Sequence, residues 1–194
     1  MKKDIILAGV GGQGILTIAA TLGLCAVEEG LYIKQSEVHG MSQRGGDVQS
    51  HVRLSDKPIS SDLIPFGKAD MIISVEPMES LRYLPMLNPE KGWLITNSKP
   101  FVNISDYPDM DNIFAQIDKV KNHIVLDAEQ IAKDVGSPRA ANIVILGAAS
   151  PFLDLEYELI EVALKKLFGK KGEDVVNLNL AALKAGYDFA TSRI

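Results

Sequence analysis

Short apolar runs alternate with stretches of helical spacing through most of this chain. Residues 5–10 form a continuous apolar run of strand length, the pattern of a strand covered on both faces. Residues 15–29 follow with helical periodicity, carry Ala19, Ala20 and Gly23 as small residues suited to close packing, and should end near Gly30. Residues 31–38 read as a second strand. Residues 47–54 alternate between apolar and polar, which predicts a strand exposed on one face. The turn residues Ser55-Asp56-Lys57-Pro58 leave 48–59 as either a hairpin or a strand followed by an edge piece.

Further along, a strong apolar strand at 71–75 runs into Glu76-Pro77, with proline well placed in the first turn of a helix reaching about Leu87. Strands are predicted at 93–96 and 123–126. A helix at 110–121 lies between them, and another follows Asp127. Residues 140–149 form an apolar helix of small residues. Residues 155–168 place apolar side chains at 155, 159, 160, 163, 164 and 167, an amphipathic helix, and 174–191 close the chain with one more. Strands alternating with helices imply an α/β fold: a three-layer, Rossmann-like, mostly parallel sheet with helices on both faces. The C-terminal region is helical only and should either wrap the sheet or form a partner-facing layer. With no repeat and no long linker, residues 1–194 are expected to make one domain.

In open parallel sheets, ligands bind beyond the carboxyl ends of the strands. Those ends carry Gly11 to Gly14, Glu37 to Gly46, Glu76, Asn97 and Asp127, so polar residues gather along one edge while the strand bodies stay apolar. Two glycine-rich turns stand out. Gly9-Val10-Gly11-Gly12-Gln13-Gly14 sits between strand and helix, the geometry that aims backbone N–H groups at an anion. His39-Gly40-Met41-Ser42-Gln43-Arg44-Gly45-Gly46 follows the second strand and carries an imidazole and a guanidinium. Arg44 beside two glycines suits a phosphate or carboxylate, because backbone and guanidinium can approach it together. His39 could transfer a proton or donate a hydrogen bond, although a lone loop histidine is more often structural.

The first turn satisfies G-x-G-x-x-G, a weak signal alone. A dinucleotide site also needs an acidic residue roughly 20 positions on. Glu37 could serve, but it runs straight into a polar loop that would crowd a ribose. His51 and His123 have no evident partner, and His39 and His51 lack the flanking ligands of a metal site. Ser42 has no nucleophile-elbow context.

Composition narrows the picture. A net charge of −5 with scattered lysines argues against a nucleic-acid surface; pairs such as Lys165-Lys166 and Lys170-Lys171 read as solvated helix ends. The one cysteine, Cys25, lies in an apolar helix and cannot close an intrachain disulfide or hold an iron–sulfur cluster, which takes about four thiolates. No stretch reaches the roughly 18 apolar residues of a membrane span, and Gly11-Gly12-Gln13 interrupts the N-terminal apolar run, so a cytoplasmic protein without a membrane role is expected.

At these residues the chain resembles the gamma-domain family of 2-oxoacid:ferredoxin oxidoreductases, and looks most like the small beta subunits of its indolepyruvate-oxidising members. The resemblance covers nearly the whole chain. It rests on the first glycine turn, on Glu37-Val38-His39-Gly40-Met41 with Gln43-Arg44-Gly45-Gly46, on Glu76-Pro77 leading to Leu81-Arg82-Tyr83-Leu84, and on Asn142 in Ala140-Ala141-Asn142. Ser42 stands where alanine is often expected. The resemblance implies oxidation of an arylpyruvate or related 2-oxoacid with coenzyme A to acyl-coenzyme A, carbon dioxide and reduced ferredoxin. It places thiamine diphosphate, Mg and 4Fe-4S clusters on a large alpha subunit, with no cofactor bound by this chain alone. Gly11, Gly12, Gln13, Gly14, Gln43, Arg44, Gly45 and Gly46 become candidate cofactor-binding residues, with His39 and Arg44 the catalytic candidates. Two other readings stay open: a free-standing dinucleotide-binding Rossmann-type protein, and a non-catalytic assembly module.

Overall fold

A computed structural model of the chain describes residues 1–40 and 45–194. Strand β1 (Lys2–Val10) leads through the first glycine turn into α1 (Ile15–Glu28), then β2 (Tyr32–His39) and β3 (Asp47–Ser55). The middle of the chain supplies β4 (Met71–Ser74), α2 (Pro77–Arg82), β5 (Trp93–Asn97), α3 (Met110–Ile117), β6 (Asn122–Leu126) and α4 (Ala128–Asp134). Helices α5 (Ala141–Ala149), α6 (Tyr157–Phe168) and α7 (Glu173–Thr191) complete it.

Among the described residues the sheet runs in the order β2-β3-β1-β4-β5-β6. Strands β1, β4, β5 and β6 pair in parallel, whereas β3 is antiparallel to both of its neighbours. The expected α/β architecture is present, with one difference in connectivity. Residues 48–59 make neither a hairpin of their own nor a strand plus edge piece. The hairpin is formed by β2 and β3, which pair from Tyr32↔Ser55 to His39↔Val48, and the second glycine turn is its loop. Strand β3 is therefore second from the edge and buried on both faces rather than exposed on one. The solvated strand is β2. An alternating pattern marks half-burial, but a strand's place in the sheet also depends on partners distant in sequence.

Helices α2 and α3 cover one face, packing Ile113 and Ile117 with Ile6, Ile72 and Leu94. Helices α1, α4 and α5 cover the other, and α6 and α7 back them as an outer layer, α6 against α1 and α7 against α5. The C-terminal helices thus wrap the sheet. The helix expected to reach Leu87 stops at Arg82 and continues as a 3₁₀ turn, Leu84–Met86. Pro85 has no N–H for an α-helical bond and disfavours α geometry at Leu84.

Helices α5 and α7 approach so closely that a Cβ on Gly147 would lie 2.1 Å from the Leu183 carbonyl oxygen. One on Gly186 would lie 2.0 Å from that of Val144. Gly186→Ala gains about 1 kcal/mol of helix propensity but forces the helices apart. A net loss of about 2 kcal/mol or more is expected, read as a lower denaturation midpoint. A second prediction concerns His51, buried in β3. Its Nδ1 accepts a hydrogen bond from Ile64 N at 3.0 Å, and burial holds the imidazole below its ordinary value of 6.5 against the opposing pull of Asp62. The unfolded chain therefore binds a proton that the native chain refuses. The stability due to the neutral ring is complete above the unfolded value and is lost as pH falls through it toward the lower native one. Urea midpoints should drop between about pH 7.5 and pH 5, less steeply in His51→Gln.

Candidate functional site

Both glycine turns lie at the carboxyl edge of the sheet, and they are bonded to each other. Gly11 N donates to Gly46 O at 2.8 Å, and Gly45 N donates to Gly11 O at 3.3 Å. The register Val10↔Asp47 brings them side by side. The first turn is held from within: Gln13 Oε1 accepts from Val10 N at 2.8 Å, and its Nε2 donates to Val75 O at 3.4 Å. Gly14, the residue before α1, has φ +81°, and a Cβ there would meet Asn142 Nδ2 at 2.5 Å. Asn142, in the first turn of α5, donates through that Nδ2 to Gly14 O at 3.0 Å. Only glycine satisfies both the left-handed backbone and the close amide.

These contacts bring the start of α1 to the start of α5. Neither helix has a side-chain cap. Between them opens a cleft of about 910 Å³, within the size range of cofactor pockets. Gly12, Gln13 and Gly14 form one wall. Ser137, Arg139 and Asn142 form another, and Lys171 and Asn179 reach in from the C-terminal helices. Arg139 and Lys171 are exposed, so the cleft offers two cations and two helix N-termini to an anion. Glu129 is the carboxylate in the lining, and its Oε1 accepts from Asn97 Nδ2 at 3.4 Å.

The other strand-end residues serve the architecture. Asn97 is buried; its Oδ1 accepts from Ala128 N at 3.1 Å and its amide also donates to Val75 O at 3.4 Å, tying three elements together. Asp127 caps α4 through Gln130 N at 2.9 Å and pairs with Lys99 at 3.1 Å. Burial pushes its carboxyl up, but those partners outweigh it and hold it below the usual carboxylate range. Glu76 is fully buried. Its Oε2 caps α2 through Glu79 N at 2.8 Å, while Oε1 accepts from Phe101 N at 3.1 Å and from the Tyr107 hydroxyl. Burial first, and then that carboxylate, push the Tyr107 phenol well above its ordinary value. Glu76 thus ties both ends of the 98–109 loop to the sheet.

Of the candidates read from sequence, Gly12, Gln13 and Gly14 line the cleft and Gly11 joins it to the second turn. Gly45 and Gly46 lie at that junction, outside the lining. His39 stands exposed at the end of β2, with Nδ1 3.3 Å from Gly40 O, and does not reach the cleft. Gln43 and Arg44 lie outside the described residues. Sequence reading missed Ser137, Arg139, Lys171 and Asn179. The one available signal was Gly136-Ser137-Pro138-Arg139, a turn placed directly before an apolar helix. Lys171, read as a solvated helix end, sits on the cleft rim.

The topology argues against a dinucleotide site. Strand β3 separates β2 from β1, so Glu37 pairs across to Ser50 rather than standing beside the first turn's strand. At about 4.8 Å per strand, that puts β2 roughly 10 Å from β1, and the acidic residue is no longer next to a pyrophosphate on the first turn.

A family profile described as pyruvate ferredoxin/flavodoxin oxidoreductase matches residues 4–189. The chain belongs to this oxidoreductase family. It is 36% identical to the indolepyruvate oxidoreductase subunit IorB of Archaeoglobus fulgidus, over 99% of this chain and 97% of that one. Among solved structures it resembles the keto/oxoacid ferredoxin oxidoreductase gamma subunit of Geobacter sulfurreducens, with TM-score 0.70, 25% identity, and 98% and 99% of the two chains covered. It also shares its fold with part of the Magnetococcus marinus 2-oxoglutarate:ferredoxin oxidoreductase, a structure containing 2-oxoglutarate, coenzyme A and succinyl-CoA. There the TM-score is 0.78 at 21% identity, spanning 100% of this chain and 32% of that one. The chain is accordingly a small subunit of a 2-oxoacid oxidoreductase.

Glu76→Ala strips three donors of their acceptor, the Glu79 amide among them in a buried site, and should destabilise the fold by on the order of 3 kcal/mol. Chymotryptic cleavage after Phe101, an exposed residue of this loop, should accelerate along with it in the native state; an unchanged cleavage rate would mean that Glu76 does not anchor this loop.

Proposed function

We propose that this chain is the small subunit of a thiamine diphosphate-dependent indolepyruvate or arylpyruvate:ferredoxin oxidoreductase, and that it supplies walls and charge to chemistry carried out on a larger subunit. Supporting this reading is the likeness to the Archaeoglobus subunit along essentially the whole of both chains. The reaction converts a 2-oxoacid and coenzyme A to acyl-coenzyme A and carbon dioxide, with the released electrons passing to ferredoxin. Thiamine diphosphate supplies the carbanion stabilisation for this chemistry.

This chain's own groups do not fit those cofactors. Among the described residues no group of three or more His, Cys, Asp or Glu side chains comes together to hold a metal. Its single thiol, Cys25, is buried, and burial pushes it up to about 12, the opposite of what a thiolate ligand requires. In this reading thiamine diphosphate, Mg and the clusters are carried by the partner.

What this chain contributes is binding. The Gly11–Gly14 turn, Arg139 and Lys171 would hold an anionic part of coenzyme A, its phosphates being the most highly charged groups in the reaction. Arg44 would meet a phosphate or the substrate carboxylate from the second turn. The same edge exposes Leu16, Val38, Phe101, Val102 and Ile104, an apolar collection that suits contact with a partner more than with water. In the Magnetococcus enzyme the matching fold is about a third of a longer chain, which supports a permanent neighbour here.

The test is kinetic. Given an arylpyruvate, coenzyme A and an electron acceptor, the purified chain should be inert, and adding the large subunit should restore turnover. In that complex Arg44→Ala should raise KM for coenzyme A or the 2-oxoacid roughly tenfold or more, the worth of one charge-assisted contact. Turnover by the lone chain, or unchanged kinetics in an intact variant complex, would reject these roles.

A further inference from the structure

One side chain joins the 98–109 loop to the second glycine turn. Asn103 Nδ2 donates to Gly45 O at 2.6 Å, across 58 residues of sequence. Gly45 in turn bonds to Gly11, so this amide is the outer link of a chain running from the loop through the second turn to the first. The loop end of that chain is rigid. Glu76, fully buried, grips Phe101 N two residues before Asn103 and the Tyr107 hydroxyl four residues after it.

The other half of the same amide is unspent. Asn103 Oδ1 is shielded from solvent and meets no donor among the described residues. Buried acceptors without donors are rare and lower stability, and packing alone would favour an apolar side chain of the same shape. A group that costs stability while fixing a turn at a ligand edge fits a functional constraint better than a structural one. The neighbouring side chains Phe101, Val102 and Ile104 are exposed and apolar. They offer Gly45 no substitute donor.

We propose that Asn103 is a positioning residue. Through its bond to the Gly45 carbonyl it sets the Gly45–Gly46 junction against Gly11, and so fixes the end of the second turn beside the first turn that lines the cleft. The inference rests on the reading of this edge as the substrate-facing side of an oxidoreductase subunit, but it concerns a residue that reading does not include. Asn103 touches no substrate in this account; it acts through the turn.

Asn103→Leu separates function from packing. It removes the bond to Gly45 and also the unmet acceptor, so the isolated chain should melt no lower than wild type. Amide exchange in the peptide spanning Gly45 to Asp47 should accelerate by roughly tenfold or more, the loss of one well-made hydrogen bond. In the reconstituted complex, KM for coenzyme A or the 2-oxoacid should rise severalfold with kcat changed less than about twofold, the pattern of lost uniform binding. Asn103→Gln, which keeps an amide donor, should recover part of that shift. A lower melting temperature with unchanged exchange at Gly45 to Asp47 and unchanged KM would overturn the proposal and make Asn103 a packing residue. Arg44→Ala, measured in parallel, keeps the two ideas apart. Silence there rejects the charge role of the second turn, whereas the exchange rates of Asn103→Leu decide the positioning role without reference to turnover.

Discussion

Two backbone hydrogen bonds between glycine turns hold the working edge of this protein together. Gly11 both donates to Gly46 and accepts from Gly45, so a turn that follows a parallel strand is coupled to a turn that closes an antiparallel hairpin. The constraint comes from β3. Because it pairs with β1 across its full length, with Val10 opposite Asp47, the hairpin loop must emerge beside the first turn. Strand pairing deep in the sheet thereby sets the position of groups at its rim.

Around that junction buried and half-buried polar side chains tie the elements together. Glu76 satisfies three donors from two elements, Asn97 joins β5 to β4 and α4, and Asn142 closes α5 onto the first turn. Such bonds are individually modest, but each would leave an unmet buried group if broken. The edge is pre-organised at the cost of very little apolar area, and the cleft between α1 and α5 stays open. Its two cations stand on a chain of net charge −5, so attraction for an anion is local to the cleft.

The proposed division of labour suits the fold. The C-terminal helices bury α5 from Ile143 onward between sheet and α7, using two glycines to let backbones touch. The rigid back supports an edge whose apolar side chains remain exposed. The proposed binding role needs a firm scaffold and an uncovered rim, and the fold supplies both.

Much of this was legible in the linear chain. Stretches of four to eight residues, apolar or alternating, read as the strands, helical spacing marked α1, α6 and α7, and the glycine spacing after the first strand marked the turn that lines the cleft, because each of these depends on neighbours within a few residues. The quoted motifs also carried the family. Other features rest on contacts between distant segments. The place of β3 between β1 and β2 overturns the ribose role of Glu37. The cleft wall from Ser137 to Asn142 faces a turn more than 120 residues earlier. Asn103 looks like any loop asparagine until it is seen reaching Gly45. Periodicity and turn chemistry are local, so sequence determines elements and their ends. Which ends meet is decided by strand order and helix packing, where pairing energy is earned between residues that no short pattern connects.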